Sequence, residues 1–461
     1  MEVLLGCLLC GLFIVLQYLL TRRKANGTTC RGKLPPGPAR LPIIGNLHNL
    51  GSQPHRSLAD LAKIHGPLMI LKLGQVTTIV ASSPAVAKEI LQKQDQLLSD
   101  RQVVLAVRAL DHHQFSAAWL PVGSKWRNLR KISNSHLFAT QKLDSNEELR
   151  REKVQELMED VRRNASERPG EAVLERCVED DVLVGPGGRR PEGIQRRMTI
   201  HFGKVFDMFG KVIDERLRQR ESEGYVSAND MLDTLLDIGA DQNTREETAM
   251  DPLCINHLFL DLFLAGTDTT SSTLVWAMAE LLRNPDVLAK AKKELDQIVG
   301  KGNHLRESDI HRLPYLQSII KETLRLHPAV PLLIPRKARA DVEICGFIVP
   351  KDAQILVNAW AIGRDPSTWD DANSFVPERF LGSEVDAKGN YFELIPFGAG
   401  RRICPGLPLA TRMLHMMLGS FVHSFDWKLG DEIVPEMLDM EEKFGISLER
   451  AKPLFVVMTP R

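Results

Sequence analysis

PFGAGRRICPG, residues 396–406, sets one cysteine, Cys404, among glycines, with Arg401 and Arg402 just upstream and prolines at 396 and 405. A Gly-x-Gly pair also opens a nucleotide-binding loop, but the third glycine of that fingerprint is missing and a thiol has no part in it. A buried structural cysteine explains the sulfur alone and leaves the glycines and arginines unused. A metal-bound thiolate uses them all. Glycines let backbone N–H groups come close and donate to the sulfur, and an arginine two residues before the thiol reaches an anionic propionate. Thiolate ligation of haem iron favours O–O cleavage. Cys404 is therefore expected as the axial, metal-ligating residue of a haem.

Composition narrows the alternatives. Lys plus Arg and Asp plus Glu stand at 59 each in 461 residues, so no bulk basicity points to nucleic acid. The cysteines, at 7, 10, 30, 177, 254, 345 and 404, have no recurring spacing that would make a disulfide framework or a zinc site. Residues 3–20, VLLGCLLCGLFIVLQYLL, carry no charge and are followed at once by Arg22, Arg23 and Lys24. As a helix this run is about 27 Å long, close to the hydrocarbon thickness of a bilayer. The acidic start and bulky end argue for an uncleaved anchor, a transmembrane signal-anchor over 1–21, and the basic cluster keeps the rest of the chain cytosolic. Residues 22–46 form a basic and proline-rich hinge whose KLPPGPARLPIIGN cannot be helical. The remainder, 47–461, is the catalytic body.

That body reads as mainly α with small β-sheets. LMILKLGQVTTIVAS, 68–82, alternates as a hairpin does, and 337–363 looks like a further set of short strands. In 193–220 the apolar residues Met198, Phe202, Val205, Phe209, Val212 and Ile213 fall on one helical face. LFLDLFLAGTDTTSSTLVWAMAELL, 258–282, is a buried helix with Thr267, Asp268, Thr269 and Thr270 in its middle, and such threonines bond back to helix carbonyls and bend or open the helix.

Several ordered motifs together resemble the cytochrome P450s. Phe397-Gly398-Ala-Gly400-Arg-Arg402-Ile-Cys404-Pro-Gly406 is similar to the family's haem loop, KETLR (321–325) to its ExxR, FVPERF (375–380) to its PERF segment, and Trp126-Arg-Asn-Leu-Arg130 to its WxxxR. The resemblance implies haem b as cofactor, seated by Phe397, Gly398, Gly400, Arg402, Cys404 and Gly406. It gives Trp126, Arg130 and Arg336 to the haem propionates with Arg402. It implies a buried Glu322–Arg325–Arg379 structural triad bracing the loop. It makes Asp268 and Thr269 the catalytic acid–alcohol pair that relays protons, at a kinked oxygen pocket. Arg127 and Lys131 read as a solvated basic helix face; the other reading makes them part of a basic proximal surface that docks an acidic reductase.

HHQFSAAWLPVGSKWRNLRKI, HPAVPLLIPRKA and NAWAIGRDPSTW look most like the plant microsomal P450s of the geraniol 8-hydroxylase (monoterpenol hydroxylase) group. That group implies a monooxygenase on the endoplasmic reticulum membrane. It uses O2 and electrons from NADPH through NADPH–cytochrome P450 reductase to hydroxylate a small lipophilic terpenoid. Substrate contacts are expected from Arg101–Leu120, Phe263–Thr269, Ala329–Ile334 and Phe444–Leu448, mostly apolar as such a pocket requires. One stretch departs from the pattern. LERCVEDDVLVGPGGRRPEGIQRRM, 174–198, is short, glycine-rich and charged and resembles neither of the two helices (E and F) that relatives carry there. The alternative it raises is a truncated, non-catalytic product that is unstable or binds haem without turnover.

Overall fold

The computed structural model describes residues 32–167, 172–173, 191–240, 250–430 and 433–461. The expected anchor, the first residues of the hinge and residues 174–190 lie outside them. No helix among the described residues is long and apolar enough to cross a membrane.

Among the described residues nine α-helices have nine or more residues: α1 (Pro54–His65), α2 (Ser124–Ile132), α3 (Glu147–Glu167), α4 (Pro191–Arg220), α5 (Pro252–Arg283), α6 (Pro285–Ile298), α7 (Pro314–Leu326) and α8 (Leu407–Ser424), with a further one over Met231–Ala240 between α4 and α5. Five of them open on proline, whose fixed φ and missing N–H cost nothing in a first turn. Asp251 caps α5 by accepting from the Cys254 N–H at 2.6 Å. The second half of α5 is enclosed on all sides, its polar Ser272, Thr273 and Glu280 included. From Ser272 to Leu282 every residue is buried, which makes α5 the axis of the molecule. Its Val275, Met278 and Leu281 join α3, α6, α7 and α8 in one core through Leu295, Leu316, Ile319, Leu418 and Phe421. Each such side chain, fully buried, contributes about 1.5–3 kcal/mol of hydrophobic stabilisation.

The β part is small. A five-stranded sheet has the order β1-β2-β8-β5-β3, from Leu68–Leu73, Val76–Ala81, Gln354–Val357, Arg336–Lys337 and Asp100–Arg101. Only β2 and β8 run parallel in it. β4 (Ala172–Val173), β12 (Phe455–Pro460) and β9 (Phe425–Leu429) form a second sheet, with β12 in the middle. β6 (Val342–Ile344) with β7 (Phe347–Val349), and β10 (Glu442–Phe444) with β11 (Leu448–Arg450), are separate hairpins.

The expected hairpin at 68–82 is β1–β2. The expected strands at 337–363 stop at Val357, because Asn358 caps a helical turn over Ala359–Ile362, its side chain accepting from the Ala361 N–H at 3.0 Å. On α4, Phe202, Val205, Phe209 and Ile213 are buried as expected, but Val212 is exposed. It lies one position off the stripe and turns to solvent. The departing segment is also shorter than 174–198, since Pro191 already opens α4 and residues 191–198 are its first turns. The described part of the hinge is tied to the sheet. Ile70 N–H donates to Pro36 O at 2.9 Å, and buried Asn46 donates to Ala39 O at 3.0 Å while accepting from Lys72 N–H at 2.9 Å.

Candidate functional site

The 396–406 loop ends where α8 begins, so Cys404 sits before the N-terminus of a long helix. Gly398 and Gly400 hold φ of 70° and 67°, left-handed values that a side chain would strain. A Cβ at Gly400 would fall 1.9 Å from Leu91 O, so the loop passes against its neighbour only as glycine. Cys404 N–H donates to Phe397 O at 3.0 Å, folding the loop back on itself. Arg401 N–H donates to Asp95 Oδ2 at 2.7 Å, pinning it from outside. Burial pushes the Cys404 thiol up, while the N–H groups of Gly406 and Leu407 and the Arg130 guanidinium pull it back toward the thiolate. A metal ion meeting the sulfur would favour its thiolate form.

Beside the loop, four arginines crowd together. Arg101, Arg130, Arg336 and Arg402 each have their guanidinium pKa pushed down, in every case mainly by burial. Arg101 is also opposed by the charges of the other three, and Arg402, held at about 10, by Arg336 and Arg130. Two acids face the four arginines: Asp95, 2.7 Å from Arg336, and Asp100, which acts on Arg402. Arg402 donates to Ser99 O at 2.8 Å, Ala117 O at 3.3 Å and Leu120 O. Arg101 donates to Ala118 O at 3.0 Å and Ile334 O at 2.6 Å, and Arg130 to Ile403 O at 2.8 Å. The Arg402 guanidinium lies 4.6 Å from the Trp126 ring centroid, and the buried Trp126 Nε1 has no hydrogen-bond partner among the described residues. A cationic cluster short of acids, beside an orphaned N–H donor, fits an anionic group such as a haem propionate. A half-buried thiol met by backbone N–H donors and an anion seat converge here, and the residues fit haem.

The expected brace is fully formed. Arg325 donates from Nε and Nη2 to both oxygens of Glu322 at 2.7 Å each, the side chains of both being 0% exposed. Glu322 Oε1 also accepts from Arg379 Nε at 3.0 Å and from Val376 N–H at 2.8 Å. The remaining Arg325 donors reach Gly363 O, Ala372 O and Ser374 O. This network thus ties α7 to the stretch 363–379 that precedes the loop.

On α5 the helical span is continuous from Pro252 to Arg283, and its hydroxyls make the expected bonds back to their own helix carbonyls. Thr269 donates to Ala265 O at 2.6 Å, Ser271 to Thr267 O at 2.9 Å and Thr273 to Thr269 O at 2.8 Å. Asp268 is half-buried, and its pKa is raised by that burial and by the charge of Glu449. Arg127 and Lys131 are exposed, as expected.

Two parts of the site escape a linear reading. Arg101 and Asp95 carry no motif of their own; their place in the cluster comes from β3 pairing with β5 and from the fold of residues 89–98 against the loop.

The cytochrome P450 profile matches residues 35–178 and 190–456 of this chain. Geraniol 8-hydroxylase of Catharanthus roseus is 50% identical, over 97% of this chain and 96% of that protein. Geraniol 8-hydroxylase of Swertia mussotii is 50% identical over 93% and 94%, and 7-ethoxycoumarin O-deethylase of Helianthus tuberosus is 46% identical over 93% and 94%. A solved zebra fish cytochrome P450, a structure with abiraterone, superposes with a TM-score of 0.74 at 25% identity, covering 89% of this chain and all of that one. The Catharanthus alignment spans 490 positions against the 461 residues present here, so that relative carries stretches this chain lacks. With the profile matched over most of its length and relatives at 50% identity over nearly all of it, the chain belongs to the cytochrome P450 family of monooxygenases.

Proposed function

We propose that this protein hydroxylates a monoterpenol such as geraniol, using O2 and electrons delivered from NADPH by NADPH–cytochrome P450 reductase, while anchored in the endoplasmic reticulum membrane by residues 1–21. The observation that carries the reading is the Cys404 sulfur at the head of α8, held by N–H donors beside an acid-poor cluster of arginines. The 50% identity to two geraniol 8-hydroxylases supports the substrate class. The exposed Arg127 and Lys131 support a cationic docking face for the reductase.

Cys404 would hold the haem iron, and Trp126, Arg101, Arg130, Arg336 and Arg402 its propionates. Bound there, the haem supplies the oxygen-activating chemistry that a thiolate ligand favours. The chain's own residues do the rest. Phe397, Gly398, Gly400 and Gly406 shape the backbone around the sulfur. The Glu322–Arg325–Arg379 brace fixes the approach to the loop. Asp268, with its raised pKa, takes up a proton at its carboxyl more readily than a surface aspartate does. Thr269 Oγ1, now donating to Ala265 O, can pass a proton by rotating away from that carbonyl. The apolar flanks of the pocket at Phe263, Ala329–Ile334 and Phe444–Leu448 orient a lipophilic substrate and exclude water.

The test is the reduced, carbon-monoxide-bound spectrum of the purified chain, followed by geraniol turnover with reductase and NADPH. A strongly red-shifted Soret band and a hydroxylated product support the reading. A band at the shorter wavelength of haem without thiolate, or no haem, overturns it. That second outcome belongs to the alternative of a truncated chain that does not turn over. The break in the profile match between 178 and 190 favours it, as does the extra length of the relatives.

A further inference from the structure

Asp261 on α5 stands two turns before Asp268 and takes no part in the acid–alcohol pair. Its carboxylate collects three donors from residues 112–117. Ser116 Oγ donates to Oδ1 at 2.6 Å, Ala117 N–H donates to Oδ2 at 2.7 Å, and His112 Nε2 lies 3.1 Å from Oδ1. Behind it, His112 Nδ1 and His257 Nδ1 are 3.0 Å apart, with the two rings stacked at 5.2 Å. His112, His257 and Ser116 are at most 2% exposed. His257 is held neutral, at about 4, by burial and by His112, and Phe115 and Phe206 enclose it at 4.5 and 4.7 Å.

Facing a carboxylate, His112 Nε2 is the donor of that contact. The Nδ1–Nδ1 contact behind it carries one proton between the two rings, so His257 and His112 form a relay that ends on Asp261. The other side of the same stretch faces the haem seat: Ala117 O and Leu120 O accept from Arg402, and Ala118 O from Arg101. Residues 116–120 are thus held by a carboxylate of α5 through their N–H side and by the cationic cradle through their carbonyls.

We propose that Asp261, oriented by the His257–His112 relay, is a positioning residue that fixes the 112–120 wall of the pocket against α5 and so determines substrate affinity and regioselectivity. It rests on the haem-pocket reading above. It acts without touching substrate: the carboxylate sets the backbone from Ser116 to Leu120, and that backbone sets the wall. An amide at 261 keeps the shape but cannot accept from all three donors, since its NH2 must face at least one of them.

The experiment compares wild type with Asp261→Asn and Ser116→Ala, the latter removing a single donor. Amide hydrogen exchange of the 112–120 peptide is measured in each, with the geraniol-induced spectral shift, the ratio of hydroxylated products and the reduced carbon-monoxide spectrum. For Asp261→Asn, exchange over 112–120 is expected to rise about tenfold, as for the loss of one strong charge-assisted hydrogen bond. The geraniol Kd rises by a similar factor and the product ratio broadens, while the 396–406 peptide and the carbon-monoxide spectrum match wild type. Ser116→Ala moves the same quantities in the same direction by a smaller factor. Wild-type exchange and Kd in both variants overturn the proposal. If Asp261→Asn does not take up haem, Ser116→Ala decides alone, by the same criteria. Absence of the thiolate spectrum from wild type is a failure of the functional reading, and the hydrogen-exchange comparison still reports on the clamp.

Discussion

Glu322 and Arg325 are both buried, and each makes sense only with the other. Replacing Glu322 by alanine leaves two guanidiniums, Arg325 and Arg379, around an uncompensated site, a change worth about 3–5 kcal/mol. The expected outcome is a large fall in melting temperature together with loss of the thiolate-type carbon-monoxide spectrum, measured on the same sample. Thr269 is the opposite kind of residue. Alanine there removes only a back-bond to Ala265 O and suits a helix better, so the melting temperature should hold. Product formed per NADPH consumed should fall, with kcat down by about 10²-fold, the lower end of general acid–base contributions. Geraniol affinity unchanged alongside that loss would place the hydroxyl in proton transfer; a fall in melting temperature instead would make it structural.

The β10–β11 hairpin shows what one element owes to a single charge. Glu442 accepts from His55 Nε2 at 2.9 Å, Arg56 Nε at 2.6 Å and Trp360 Nε1 at 2.9 Å, so α1 and the 359–362 turn both hold it. At the far end, Leu448 O accepts from Ser272 Oγ at 2.8 Å and Trp276 Nε1 at 2.9 Å of α5. The tip, with Ile446, is suspended between these clamps. Burial alone would raise the Glu442 carboxyl, but His55, Arg364, Trp360 and Arg56 outweigh it and hold it at about 2, against an ordinary 4.5. Because the folded pKa is the lower one, the stabilisation is fully present above the ordinary value and is lost as pH falls from about 4.5 to about 2. Glu442→Gln should therefore lower the melting temperature at neutral pH, and its gap to wild type should close through that window. A gap that stays constant with pH would remove the charge from the argument.

At the scale of the molecule, apolar side chains stand exposed on three elements that pack together: Leu105 and Leu110 in the stretch before α2, Ile200 and Met208 on α4, and Phe263 on α5 at 50%. Exposed apolar side chains on elements that pack together mark a binding or aggregation surface where they adjoin. Inserting the extra residues of a geraniol 8-hydroxylase between 178 and 190 should cover part of it. The expected readings are weaker binding of a hydrophobic fluorescent dye and a higher melting temperature than the chain as it stands. Equal dye binding would mean that the missing length does not lie over this face.

The local chemistry was legible in the sequence because it is written in contiguous residues. The thiol with its glycines, the Glu-x-x-Arg turn, the β1–β2 alternation and the apolar run of α5 each depend on neighbours within a turn or a strand. Phe202, Val205, Phe209 and Ile213 could be assigned to a buried face on periodicity alone, whereas Val212, one step round the helix, could not be decided without knowing how wide the covering surface is. What lies far apart in the chain was decided only by the tertiary structure. Arg101 and Asp95 enter the cationic cradle through strand pairing and a close backbone approach. Asp261 meets Ser116 and His112 across about 145 residues of chain. Sequence determined which groups can do chemistry here; the fold determined which of them share one dielectric and one hydrogen-bond network, because burial and direction exist only once the chain has closed.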